Sequence, residues 1–326
     1  MTTKTIPKKA YCKNAIFVQS ADKQTLQAKL TASFAKLRKI GTRKEEQGED
    51  QNYVRTVIYH RTVSNMLFGV LASFERGTHQ LTVAEDDDAE SLTVEQVAPP
   101  KTEQDKRREF LEGTCYFGIL KNHVVLVSSQ SLNAKAAELH FNWLMEHASV
   151  MGSDNRVALS DQVSKVTRER IQAAHVKEVQ IGAPLFDVQQ GDGASPAPGT
   201  QLKSVNYTGL GLDILRQVVG EDFISKLRLA DAVDGNIEVS LSVRYKRTTS
   251  TKAQKVLDNI ALAMRNIDED EVKLTLDSGG TIKGKDLKLS NTLRVEGRDG
   301  IPNPDALFEK MREWLLQLFE NHIIEP

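Results

Sequence analysis

Thr114-Cys-Tyr-Phe-Gly-Ile-Leu120 and Val124-Val-Leu-Val-Ser128, separated by Lys121-Asn-His123, decide the fold. Two short apolar runs joined by three residues of turn character predict a β-hairpin, and a hairpin makes an antiparallel sheet. A helix follows at residues 132–148, carrying Leu139, Trp143, Leu144 and Met145. Strands joined to their neighbours by turns, with helices set apart from them, read as an α+β protein with mixed or antiparallel sheets and flanking helices.

Towards the N-terminus the same reading gives strands at residues 11–19, 53–60 and 66–74. An amphipathic helix spans residues 21–40, with the apolar line Leu26, Leu30, Phe34 and Leu37 and with Gly41 as its C′ residue. Towards the C-terminus a strand, a helix with Arg168 and Arg170, and a strand at 176–181 close a first region. Residues 189–200, rich in Gly and Pro with no core-forming side chain, then read as a linker or exposed loop. Beyond it come helices at 210–219, 222–229 and 252–267, and strands at 237–243, 272–276 and 287–295. A closing helix starts with Asn303 as N-cap and Pro304 at its first position. The Leu307, Met311, Trp314, Leu315 and Leu318 stripe of that helix is most simply core, with a dimer seam as the alternative.

The expected organisation is two-part. Residues 1–186 form an N-terminal α+β domain and 187–203 a Gly/Pro-rich linker or loop. Residues 204–326 form a C-terminal α+β domain with a basic surface, whose closing helix can pack back on the first domain. A chain of 326 residues suits about two domains at roughly 100–200 residues each. Its 40% apolar and 27% charged residues are ordinary for a globular protein and too apolar for disorder. Two cysteines, Cys12 and Cys115, lie in apolar strand-like runs and read as buried thiols. No stretch approaches the ~18–20 apolar residues of a membrane span, and residues 1–9 lack a hydrophobic leader core, so a cytoplasmic location is expected.

Charge carries the functional signal. The 43 basic and 44 acidic side chains nearly cancel, yet 11 Lys and Arg residues oppose only Asp22 between Lys4 and Lys44. Such sorting points to a face that attracts a polyanion, with Lys29 and Lys36 on a helix face apart from its apolar line. The second basic signal is sharper. Arg244, Lys246 and Arg247 end a strand, Lys252 and Lys255 open the next helix, and only Glu238 opposes them from 237 to 257. A strand end leading into a helix start offers cations and free backbone N–H groups to phosphate oxygens. Lys273, Lys283, Lys285 and Lys288 follow, with Gly279, Gly280 and Gly284 allowing close backbone approach. A solvated surface with local ion pairing is the plainer reading of these lysines. Few aromatics accompany them, which disfavours base stacking and favours backbone contact.

Signals for chemistry are weak. No phosphate loop, dinucleotide fingerprint, zinc-protease motif, nucleophile elbow or Cys-x-x-Cys pair occurs. Thr208-Gly-Leu-Gly-Leu212 lacks the third glycine and the lysine of a phosphate loop. The acidic runs at 85–88 and 268–271 lack the spacing of metal ligands and read as solvated loops. His140 and His147, seven apart on one helix, suit packing or hydrogen bonding better than metal binding. No catalytic residue, metal or cofactor is therefore assigned.

Residues 212–290 resemble the C-terminal part of RexA-type prophage exclusion proteins. The matching stretches are Leu212-Asp-Ile-Leu-Arg-Gln-Val-Val-Gly220, the strand ending Arg244-Tyr-Lys-Arg247, the basic helix from Lys252 to Ile260, and Asp270-Glu-Val-Lys-Leu274 leading into Gly279-Gly280. A weaker likeness runs back through 117–128 and 176–185. The resemblance implies an α+β, cytoplasmic, homodimeric and largely sequence-independent binder of double-stranded DNA. It further implies a sensor of phage replication or recombination that activates a membrane effector, RexB. The chain departs from that pattern in its longer basic N-terminal region, the 189–200 segment, and Thr275 and Asp277 where more basic character is expected. The rival expectations are a metal-dependent nuclease or other nucleic-acid enzyme of a defence system, and a partner-binding protein using its basic face on an acidic protein.

Overall fold

The computed structural model describes residues 4–18, 24–83, 94–105, 107–184, 238–244 and 272–325. The strands are β1 (Lys4–Phe17), β2 (Glu45–Gln47), β3 (Tyr53–Val63), β4 (Met66–Glu75), β5 (Gln80–Val83), β6 (Val94–Val97), β7 (Gly113–Leu120) and β8 (His123–Ser128). They continue as β9 (Val157–Asp161), β10 (Val176–Pro184), β11 (Glu238–Arg244), β12 (Val272–Leu276), β13 (Thr281–Lys283), β14 (Ser290–Arg298) and β15 (Ile301–Pro302). Helices α1 (Leu26–Lys36), α2 (Ala134–His147), α3 (Lys165–Ala174) and α4 (Pro304–Glu320) flank them. The protein is α+β, with antiparallel sheets and flanking helices.

By contact the chain divides into two units, Met1–Lys165 with Lys288–Pro326, and Val166–Leu287. Residues 288–326 thus belong with the N-terminal strands: β14 pairs with β1 from Lys4↔Gly297 to Tyr11↔Ser290. The first unit is built on a nine-stranded sheet in the order β15-β14-β1-β8-β7-β4-β3-β2, with β9 pairing the second half of β1. The hairpin read at 114–128 sits near its centre, turning at Lys121, whose φ is 56°.

The central strands read as continuous apolar runs because both faces are covered. Cys115, Phe117, Val124 and Leu126 pack under α1 and α2, which contribute Leu26, Leu30, Phe34, Phe141 and Leu144. Tyr116, Val125 and Val127 point to the other side, against the Leu307, Met311, Trp314, Leu315 and Leu318 stripe of α4. That stripe is core, so it offers no dimer seam. Its helix starts as expected, with Asn303 Oδ1 accepting from the N–H groups of Asp305 (2.9 Å) and Ala306 (3.2 Å) and Pro304 at the first position. Between β4 and β7, Gly69 lies opposite Phe117 and Gly118 opposite Phe68. A Cβ on Gly69 would strike the Phe117 ring, so the glycine makes room for the aromatic on the neighbouring strand.

One helix differs from its reading. α1 is shorter than 21–40: Thr25 caps its start, accepting from Ala28 N–H, and Leu37 leaves helical geometry at φ −102°, ψ 66°. A separate 3-10 turn over Ile40–Arg43 then holds Gly41, which is therefore not the C′ residue of the helix. Asn122, in the β7–β8 turn, accepts from Leu26 N–H at 2.8 Å and ties the hairpin to the helix start.

The second unit carries a four-stranded antiparallel sheet, β11-β10-β12-β13. One face buries Val179, Val272, Leu274, Leu276 and Ile282 against Ile171 of α3. The residues between them point the other way. Several expected features lie outside the described residues: the acidic runs at 85–88 and 268–271, the segment 187–203, the helices at 210–219, 222–229 and 252–267, and the Thr208–Leu212 glycines.

Candidate nucleic-acid interface

The outward face of the four-stranded sheet gathers polar side chains because its strands alternate. On β12, Lys273 and Thr275 alternate with buried Val272, Leu274 and Leu276. On β13, Lys283 and Thr281 flank buried Ile282. Register then aligns them: Lys273 lies directly across from Lys283, Gln180 of β10 across from Lys273, and Ser242 of β11 across from Gln180. A second row runs Arg244, Glu178, Thr275, Thr281. The turn from β12 to β13 is closed by Gly279 at φ +89°, a conformation suited to glycine, with Leu276 N–H donating to Gly280 O at 2.8 Å.

Three expected DNA-binding residues, Arg244, Lys273 and Lys283, therefore share one exposed face, though 29 or more positions separate Arg244 from the others in sequence. Glu178 is the one carboxylate among the eight residues of the two rows, and it accepts a hydrogen bond from the Ser242 hydroxyl at 2.5 Å. Among the described residues no acid makes a close ion pair with Lys273, Lys283 or Arg244, although Glu178 lies directly across from Arg244. Like charges directly opposite on neighbouring strands repel, and each such pair costs a few tenths of a kcal/mol or more. The Lys273–Lys283 pair is thus a local cost to the sheet that an anionic ligand removes. Gln180, Ser242 and Thr281 were not singled out from sequence; the period-2 alternation of β10 and β11 is the signal that finds them.

The remaining expected contacts fare differently. Lys246, Arg247, Lys252 and Lys255 lie outside the described residues, and Lys285 falls within a 3-10 turn over Gly284–Leu287. Lys36 is exposed, but its ammonium donates to Ala148 O (3.1 Å) and Ser149 O (3.0 Å) at the end of α2, where a cation suits the helix dipole. Lys29 contradicts its reading: it is only 4% exposed, with Nζ 5.7 Å from the centre of the Phe17 ring. The long aliphatic stem of lysine lets it pack beneath the sheet edge, which a count of charges along the chain does not register.

Two other cations of the basic N-terminal stretch are buried as well. Lys13 is buried and bound to Asp161 at 2.5 Å; burial lowers its pKa, and Asp161 opposes that shift. Arg43 is buried over Phe34. These three cations serve the interior of the first unit, while Lys4, Lys9, Lys36, Arg38 and Lys39 are exposed. Nearby, buried Arg55 pairs with Glu45 at 3.5 Å and donates to Ala136 O. His140, fully buried, has Nδ1 2.8 Å from Glu45 Oε2, and His147 stacks on Trp143. Both histidines act in packing and hydrogen bonding, as their spacing suggested.

Cys12 and Cys115 are free and buried, and burial pushes both thiols up to about 12. Among the described residues no group of three or more His, Cys, Asp and Glu is placed to hold a metal ion. Among the same residues no helix is long and apolar enough to cross a membrane. No protein-family model matches the chain, and no curated protein matches it.

Proposed function

We propose that this protein binds double-stranded DNA through its phosphates, without reading sequence, along the outward face of the four-stranded sheet. It acts as the cytoplasmic, homodimeric sensor of a phage-exclusion system, paired with a RexB-like membrane effector and using no cofactor or catalytic residue. The observation that carries the reading is the Lys273–Lys283 pair, two cations held opposite each other on a face that also carries Arg244 at its far edge, with Glu178 as the one carboxylate in the two rows. Phosphate oxygens spaced along a duplex offer the countercharge, and the Gln180 amide and Thr281 hydroxyl offer neutral hydrogen bonds to the same backbone. The resemblance of residues 212–290 to RexA-type proteins supplies the class of system. Lys246, Arg247, Lys252 and Lys255 follow Arg244 closely in sequence and add to its positive charge.

Fluorescence anisotropy with two unrelated duplexes of equal length tests the proposal. Equal affinities are expected, falling about 500-fold between 50 and 200 mM salt if roughly five phosphates are contacted, since each contributes a slope near −0.9. Replacing Arg244, Lys273 and Lys283 together by Ala removes three contacts and shrinks that salt effect about 40-fold. An affinity flat in salt, or unchanged in the triple variant, sinks the phosphate-contact reading. Strand cleavage on adding Mg²⁺ turns it towards the nuclease.

A further inference from the structure

The face of the nine-stranded sheet under α4 is covered by one helix, where the opposite face has two. Beside the start of α4 it leaves a cavity of about 720 Å³. The size falls within the range of small-molecule sites, roughly 300–1,000 Å³. Its floor is Val70, Tyr116 and Val127, and Ile58, Tyr59 and Leu111 form an apolar wall. Residues 300–305, the β14–β15 turn and first turn of α4, form the other side. A cavity with this lining excludes strongly hydrated ligands and favours an apolar body.

Its polar groups are few and mostly idle. Lys8 of β1 lies on the α4 side, between Ile6 and Ala10 of the core there, and it lines the cavity half-buried. It has no acidic partner among the described residues. The hydroxyls of Tyr116 and Thr114, on the α4 side of β7, likewise make no hydrogen bond among the described residues, whereas Ser128 pairs with Cys115 and so turns its hydroxyl to the opposite face. Ser129 differs, because its hydroxyl accepts from Thr114 N–H. The cavity's one acid, Asp305, is bound to Arg61 at 2.5 Å, and that guanidinium also lies over the Tyr59 and Phe308 rings. One cation is thus neutralised and the other is not.

We infer that this cavity binds a small amphipathic monocarboxylate, a medium-chain fatty acid in chemical class, with its carboxylate at Lys8. The unbonded hydroxyls donate to the carboxylate oxygens, and the hydrocarbon chain lies along Val70, Val127, Ile58 and Leu111. A single unpaired cation matches a single charge. A second anionic group at the far end of the ligand would meet Asp305, so dicarboxylates are disfavoured. The inference does not depend on DNA binding, because none of its residues belongs to the four-stranded sheet.

Isothermal titration of the full chain with dodecanoate, below micelle formation, tests it against dodecanol of the same chain length. Saturable binding of dodecanoate is expected, with dodecanol at least tenfold weaker. Lys8→Gln weakens dodecanoate about tenfold, equivalent to 1.4 kcal/mol, and leaves dodecanol unchanged. Tyr116→Phe keeps the ring in place and weakens dodecanoate several-fold. Unchanged thermal midpoints show that both variants are folded. No saturable binding of dodecanoate overturns the inference. So does equal affinity for the alcohol, or a Lys8→Gln variant that binds dodecanoate as the parent does.

Discussion

In the nine-stranded sheet, β7 and β8 turn Cys115, Phe117 and Leu126 to one face and Tyr116, Val125 and Val127 to the other, and helices cover both. In the four-stranded sheet, β12 turns Val272, Leu274 and Leu276 inward and leaves Lys273 exposed. The cations follow that difference. Lys13, Lys29, Arg43 and Arg55 of the first unit are buried, and Lys13 and Arg55 have carboxylate partners, since an unpaired charge in an interior is costly. Arg244, Lys273 and Lys283 of the second unit are exposed and make no close ion pair among the described residues. A basic residue count therefore describes two kinds of cation, one that holds the protein together and one available to a ligand.

The largest expected effect breaks the first kind. Lys13→Ala leaves the Asp161 carboxylate buried without its partner, and removing one member of a buried pair costs about 3–5 kcal/mol. Urea unfolding followed by circular dichroism measures it. Lys13→Met with Asp161→Leu is expected to recover most of the loss, because no charge is then left uncompensated. A loss below about 1 kcal/mol for Lys13→Ala, the size of an exposed pair, would remove the distinction between the units.

Next in size is Gly69→Ala. With both faces of the sheet filled, the added methyl has to displace the Phe117 ring, which packs at 5.2 Å between centroids against Phe141 of α2. Overpacking of this kind costs about 1–3 kcal/mol. Thr281→Ala, on the exposed face of the second unit, is expected to stay within about 0.5 kcal/mol of the parent. Equal costs for the two would show that the large sheet has room its packing does not suggest.

The fold was legible where local pattern and tertiary environment agree. The hairpin at 114–128 and the capped start of α4 at Asn303 and Pro304 need only neighbouring residues to specify them. So does the alternation of β12. The site was legible in part: Lys273 and Lys283 were named from sequence, but their facing register comes from a turn closed by Gly279. Arg244 joins them only through β10, a strand that pairs with both β11 and β12. Lys29 and Arg43 misled because charge patterning assumes that charged side chains face water, and an aliphatic stem or an aromatic neighbour overrides it. The return of β14 to β1 is a contact between residues almost 300 apart, to which no local signal points.

Acid is expected to destabilise the first unit through His140 and Glu45. Burial lowers the pKa of His140, with Arg55 and Arg43 adding to the shift and Glu45 opposing it. Glu45 is itself held below the usual carboxylate range: burial opposes that shift, but His140, Arg55 and Gln47 outweigh it. Both groups bind protons more readily in the unfolded chain, so stability rises with pH through their windows. His140 contributes a loss that begins as pH falls below about 6.5, and Glu45 a further loss below about 4.3. Thermal midpoints from pH 7.5 to 5 are expected to fall for the parent and to fall less for His140→Gln. A midpoint independent of pH in that range would show that the histidine accepts a proton in place.

The smallest effect has the opposite sign and separates the two kinds of cation most directly. Lys273→Gln removes one member of a like-charged pair while keeping a long polar side chain that the strand accommodates. Relief of that repulsion is expected to raise stability by a few tenths of a kcal/mol, where Lys13→Ala lowers it by several. The same substitution removes one phosphate contact and lowers the salt slope of duplex binding by about 0.9, so affinity at 50 mM salt falls while the protein becomes no less stable. Lys283→Gln is expected to match it in both respects. The double variant should gain little further stability, because the first substitution already ends the repulsion, yet it should lose a second unit of salt slope. Stability from urea midpoints and affinity from anisotropy, taken on the same samples, give both quantities. A Lys273→Gln variant less stable than the parent by more than about 0.5 kcal/mol would place this lysine with Lys13, as a residue that holds the sheet together.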